Sequence, residues 1–146
     1  MSRTERTAAL VFAKAPVAGE VKTRLVPPLS PAEAARLHEN LVRRALAAVR
    51  EAGLGEVILC CAPDCAHPFF RRCAVEFGVV LQPQSTGNLG DRMHQALDRA
   101  LQTCDRALLI GTDCPALDAK ELRSAAAALE PDADLVFVPA EDGVMR

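Results

Sequence analysis

Aromatic residues are scarce in this chain: five Phe among 146 residues, with neither Tyr nor Trp. Without rings on which bases can stack, single-stranded nucleic acid has no platform. The formal charge of −2 also removes the basic field that a polyanion needs, so nucleic acid is not expected as a partner. Long hydrophobic runs are missing as well. The first apolar stretch, Ala8–Ala13, runs straight into Lys14; it is too short for the core of a signal peptide, and nothing approaches a membrane span. A cytoplasmic protein that makes no use of a membrane is therefore expected. There is no C-x-x-C pair. The six cysteines, Cys60, Cys61, Cys65, Cys73, Cys104 and Cys114, are even in number but lack a secretory context, so reduced thiols are expected. Cys61, Cys65 and His67 offer zinc-type ligands without a fourth at the usual spacing, and small buried hydrophobes are the preferred reading. No G-x-S-x-G elbow and no dinucleotide G-x-G-x-x-G fingerprint occurs, and Gly19-Glu20-Val21-Lys22-Thr23 lacks the adjacent Gly-Lys of a P-loop.

What is present describes one domain, residues 1–146. Half of the residues are apolar and a quarter charged, and the core must be built from Ala, Leu and Val. Strand and helix patterns alternate. Short apolar runs predict strands at Ala8–Ala13, Glu56–Cys61, Val79–Gln82, Ala107–Ile110 and Leu135–Val138. Ser30-Pro31-x-Glu33 is a capping box with proline at the first helical position, opening a helix that carries Leu37, Leu41, Ala45 and Val49 on one stripe and closes at Gly53. Further helices are expected over Pro68–Phe77, from about Asp91 to Gln102 with Met93, Ala96, Leu97, Ala100 and Leu101 as its buried face, and from Asp118 to Leu129. This succession predicts an α/β fold: a mainly parallel sheet with helices on both faces and right-handed crossovers.

Four stretches carry the residues suited to chemistry. The loop after the first strand holds Lys14, Gly19, Lys22, Thr23 and Arg24. Cations, a hydroxyl and a glycine-bearing turn beyond a strand's carboxyl end suit phosphate oxygens, although surface lysines are also commonplace. Gly111-Thr112-Asp113-Cys114-Pro115 places a carboxylate at the end of the fourth strand. Asp113 can cap the turn, or hold Mg²⁺ or Mn²⁺ through hard oxygen ligands. With strands ordered 3-2-1-4, that carboxylate faces the first loop. Gln84-Ser85-Thr86-Gly87-Asn88-Leu89-Gly90-Asp91-Arg92-Met93 suggests, through Gly87, close approach of backbone to a ligand. Arg92 falls in a helical first turn, where the dipole disfavours a cation, which hints at a purpose other than helix stability. Pro139-Ala140-Glu141-Asp142-Gly143 is either a solvated acidic segment or, through Asp142, a second metal ligand or general base. The three histidines, His38, His67 and His94, form no site by sequence; surface or capping roles are expected for them.

Taken together, FAKAPVAGEVKTRL, QSTGNLGDRM, GTDCPAL and PAEDG, in this order, resemble the GT-A-type glycosyltransferase-like family known as domain of unknown function 2064. The resemblance runs from about Ala9 to Gly143 and is similar to nucleotide-diphospho-sugar transferases. It implies a Rossmann-like GT-A fold, a nucleotide or nucleotide sugar as partner, phosphate contacts from Lys14, Lys22 and Arg24, and a Mg²⁺ or Mn²⁺ ion on Asp113. Three departures stand out. Thr112-Asp113 supplies a single aspartate where many GT-A enzymes have D-x-D. Asn88 and Asp91 replace a more usual acidic pair. The family's pattern continues beyond PAEDG into further strands and helices, so a C-terminal part of the fold that contributes acceptor contacts is expected to be missing. Glycosyl transfer is the reaction this implies. A nucleotidyltransferase acting on a nucleoside triphosphate and a non-catalytic nucleotide-binding module remain open beside it.

Overall fold

The computed structural model describes residues 6–112, Lys120 and residues 136–138. Strand β1 (Thr7–Lys14) is followed by a single 3-10 turn (Thr23–Leu25) and helix α1 (Pro31–Ala52). Then come β2 (Gly55–Ala62), α2 (Pro68–Phe77), β3 (Val80–Pro83), α3 (Leu89–Leu101), β4 (Arg106–Ile110) and β5 (Val136–Val138). The helix expected at Asp118–Leu129 lies outside the described residues.

The helix boundaries follow local chemistry. Ser30 accepts from the Glu33 amide at 3.1 Å while the Glu33 carboxylate accepts from the Ser30 amide at 2.8 Å, closing the capping box read from the sequence. Gly53 ends α1 in the left-handed conformation. Helix α3 begins two residues earlier than the pattern predicts. Asn88 and Asp91 form a second reciprocal box, with the Asp91 amide donating to Asn88 Oδ1 at 2.8 Å. The pair that departs from the family's acidic residues is thus a helix cap. Gly87 belongs to the same turn: a Cβ there would lie 2.8 Å from Asp91 Oδ2, at a φ of +109°. Leu101, expected on the buried face of α3, is exposed; Ala96 and Ala100 carry that face.

All four strand pairings are parallel, in the order β3-β2-β1-β4-β5. Alternate residues of β1 face opposite ways, as the pleat requires. Ala9, Val11 and Ala13 pack with Val57, Leu59 and Cys61 of β2 against α1 and α2, where Val42, Leu46, Val49, Phe69 and Phe70 fill the layer. Ala8 and Leu10 pack with Ile58 and Cys60 against Ala96 and Ala100 of α3. Burial on both faces explains why the strands read as unbroken apolar runs. The chain lays down β1, β2 and β3 outward in one direction, then crosses to the other side of β1 for β4. That reversal makes the β1–β4 boundary the switch point, outside whose carboxyl ends ligands bind in open α/β sheets.

The expected reading of the cysteines as small apolar residues holds for Cys60, Cys61, Cys73 and Cys104, which are buried, and the five described cysteines are free thiols. No helix among the described residues is long and apolar enough to cross a membrane.

Candidate functional site

Strands β1 and β2 end side by side, Lys14 opposite Ala62, and the Ala15 amide donates to the Ala62 carbonyl at 2.8 Å. Beyond these ends opens a cleft of about 530 Å³. Its walls come from Phe12, Ala13 and Lys14 of β1, Glu20 of the following loop, Ala62 and Pro63 after β2, and Gln84, Leu89 and Arg92 from the β3–α3 connection and the first turn of α3. Two of the candidate phosphate ligands, Lys14 and Arg92, thus meet across one opening although 78 positions apart in sequence.

Gln84 organises this opening. Its backbone amide donates to the Cys61 carbonyl at 2.9 Å, and its side-chain amide donates to the Cys60 carbonyl at 2.9 Å. Its side-chain oxygen accepts from Arg92 Nη1 at 2.6 Å. The guanidinium is thereby held at one corner, while its Nε is buried without a hydrogen-bond partner among the described residues. A buried donor left unmade costs about 1–3 kcal/mol, so the Arg92 Nε marks this corner as one that calls for an acceptor. The sequence pattern had singled out Arg92 through its adverse place in the helix dipole. Gln84 was missed, because its role lies in two bonds back to the end of β2 and one to Arg92, which no local motif encodes.

A smaller pocket of about 270 Å³ adjoins the cleft and shares Gln84 with it. Cys60, Gln82, Ser85, Gln95 and Arg99 are among its lining residues. Ser85 Oγ is buried there without a partner among the described residues. Burial pushes the Cys60 thiol up to about 12, the nearby Cys65 adding to the effect, so Cys60 stays neutral and is no nucleophile.

The other candidates lie elsewhere. Gly19, Thr23 and Arg24 are exposed and do not line the cleft, and Gly87 is exposed at the α3 cap. Lys22 is half-buried and turned toward α1, where its Nζ lies 2.7 Å from His38 Nδ1. His38, expected on the surface or at a cap, is buried, because α1 packs this position against the end of β1. His67 does cap a helix, its Nδ1 accepting from the Phe69 amide at the start of α2. Asp113 and Asp142 lie outside the described residues; the residue before Asp113, Thr112, is buried. Among the described residues no three His, Cys, Asp or Glu side chains gather where they could hold a metal ion.

A parallel sheet with helices on both faces and a cleft at its strand ends is a Rossmann-like α/β fold, consistent with the GT-A kind. Over residues 45–143 the chain matches the family described as "Uncharacterized protein conserved in bacteria (DUF2064)", and it belongs to that family. A solved structure similar to it is that of a "putative nucleotide-diphospho-sugar transferase" from Desulfovibrio desulfuricans G20, at 27% sequence identity and a TM-score of 0.74. The likeness covers 87% of this chain and 54% of that protein, so the chain spans about half the length of this relative. No curated protein matches the chain.

Proposed function

We propose that this chain binds the diphosphate of a nucleotide-diphospho-sugar in the cleft beyond β1 and β2, as the donor site of a glycosyltransferase. The observation that carries this reading is Arg92: a guanidinium fixed by Gln84, its Nε buried without a partner among the described residues, lining the same cleft as Lys14. A diphosphate supplies acceptor oxygens and negative charge together, and an arginine fork matches their geometry. Gln82, Ser85 and Gln95 of the adjoining pocket offer donors and acceptors suited to the nucleoside. The name of the solved relative points the same way.

Among the described residues lining the cleft, two cations stand against one carboxylate, that of Glu20. This leaves a diphosphate incompletely neutralised and gives a reason for a divalent cation. Asp113 and Asp142 carry the hard oxygens that Mg²⁺ or Mn²⁺ prefers, and they are the residues proposed to hold it. When bound, the ion would supply positive charge against the diphosphate. In the transfer itself, the bond between the anomeric carbon and the β-phosphate oxygen breaks. An acceptor hydroxyl forms the new bond to that carbon, and its proton passes to water. Lys14 and Arg92 stabilise the charge that grows on the departing nucleoside diphosphate.

Calorimetric titration with a panel of nucleotides and nucleotide sugars, with and without Mn²⁺, tests this reading. Lys14→Ala and Arg92→Ala are each expected to weaken binding by roughly ten-fold or more, as loss of a charge-assisted hydrogen bond implies. Asp113→Ala is expected to abolish the metal dependence. Nucleotide binding that is unchanged in Arg92→Ala would overturn the site. Release of a nucleoside diphosphate identifies glycosyl transfer, whereas release of pyrophosphate from a nucleoside triphosphate identifies nucleotidyl transfer.

A further inference from the structure

We propose that His38 is a positioning residue whose single imidazole staples together the two ends of the loop that carries Lys14 and Lys22. Its consequence for ligand affinity rests on the diphosphate reading above. The His38 ring lies on the inner face of α1, where every other buried residue is Ala, Leu or Val. Its Nε2 lies 2.7 Å from the carbonyl oxygen of Lys14, at the cleft end of β1. Its Nδ1 lies 2.7 Å from the ammonium of Lys22.

The two partners dictate the tautomer. A carbonyl oxygen only accepts, so Nε2 must carry the hydrogen, and an ammonium only donates, so Nδ1 must offer its lone pair. A neutral imidazole with the hydrogen on Nε2 satisfies both bonds at once. No other side-chain type spans two such partners with a donor at one end and an acceptor at the other in one rigid ring.

The backbone of Lys22 points the same way. Lys22 is the one described non-glycine residue with positive φ, at +53°, and it begins the 3-10 turn without any side-chain capping bond. Glycine would adopt that conformation without strain, so a lysine there needs a compensating reason, and the bond to His38 supplies one. Between the two stapled ends the loop folds back on itself. Lys14 Nζ donates to the Glu20 carbonyl at 3.0 Å, the Glu20 amide donates to the Val17 carbonyl at 2.9 Å, and Ala15 and Val21 are buried. With its ends held by one ring, the loop keeps the wall of the cleft formed by Lys14 and Glu20 in place before any ligand arrives, which lowers the ordering cost of binding.

The test uses the 146-residue chain with ¹⁵N-labelled histidine, and inorganic pyrophosphate with Mg²⁺ as the probe. The His38 signals, identified by their loss in His38→Gln, are expected to show an unprotonated Nδ1 and a protonated Nε2 at neutral pH; the opposite tautomer would overturn the proposal. His38→Gln keeps a donor and an acceptor, but on a flexible amide in place of a rigid ring, while His38→Leu loses both. Folded His38→Leu is expected to bind pyrophosphate about ten-fold more weakly than wild type, with His38→Gln between them. Wild-type affinity in folded His38→Leu overturns the positioning role, and the tautomer decides if His38→Leu does not fold. If wild type itself does not bind pyrophosphate, the diphosphate reading falls and hydrogen exchange judges the staple. Amides of residues 15–22 exchanging faster in the variants, with those of α1 unchanged, support it; unchanged loop exchange refutes it.

Discussion

Arg92 shows how far a single side chain can be read from sequence. A cation in a helix's first turn opposes the dipole, and that local conflict was visible without any structure. The reason for it was not visible, because it lies in the Gln84 bond and in a place on a cleft whose other walls come from β1, β2 and the loops after them. On the proposed reading, the site uses the fork geometry beyond the charge. Arg92→Lys, which keeps the charge but not the fork, is accordingly expected to lose about ten-fold in nucleotide affinity, read by calorimetry; equal affinity would reduce Arg92 to a point charge. Lys14 was legible from its place after an apolar strand. His38 was not: an isolated histidine on a helical stripe looks the same whether it faces solvent or two polar partners. Its bonds reach 16 residues back to Lys22 and 24 back to Lys14.

At the scale of elements, the cap of α3 joins stability to function. Asn88 and Asp91 satisfy each other's backbone amides, and the turn they close carries Leu89 and Arg92 into the cleft. Gly87 suits that turn because a φ of +109° strains any other residue, and a Cβ would also crowd the Asp91 side chain. Asn88→Ala removes one half of the box. It is expected to cost about 1 kcal/mol of stability, measured by urea unfolding. Because the frayed turn holds Arg92, it should also weaken nucleotide binding, whereas loss of the Ser30 cap on α1, by Ser30→Ala, should lower stability alone. The strands were legible because both of their faces are buried, which leaves continuous apolar runs. The start of α3 was misplaced by two residues because Asn-x-x-Asp is a weaker signal than Ser-Pro-x-Glu.

For the whole molecule, two buried thiols, Cys60 of β2 and Cys73 of α2, set a response to alkali. Burial raises the Cys60 thiol to about 12 and the Cys73 thiol to about 11, from an ordinary value of 9.0. In the unfolded chain both ionise near pH 9; in the folded chain they hold their protons beyond it. Between about pH 9 and pH 12 the native state therefore binds more protons than the unfolded state, so stability falls as pH rises. Below pH 9 the two states are protonated alike and these thiols add no slope. Urea unfolding from pH 8 to pH 11 should show this decline, and Cys60→Ala should reduce its steepness even though it lowers stability at pH 8. An unchanged slope in that variant would mean that other groups govern the alkaline transition.

The sequence by itself determined the alternation of strand and helix, the caps of α1, the parallel sheet and the family, because each rests on short-range periodicity or on motifs in register. It also marked the loop after β1 and the first turn of α3 as chemically unusual. Only the tertiary structure decided that Lys14 and Arg92 share one cleft, that Gln84 holds the arginine, and that Lys22 turns inward to a buried His38. The physical reason is that these contacts exist only once the sheet buries both of its faces. Packing α1 on one side and α3 on the other brings residues distant in the chain to the carboxyl ends of adjacent strands, and no local pattern records which of them will meet.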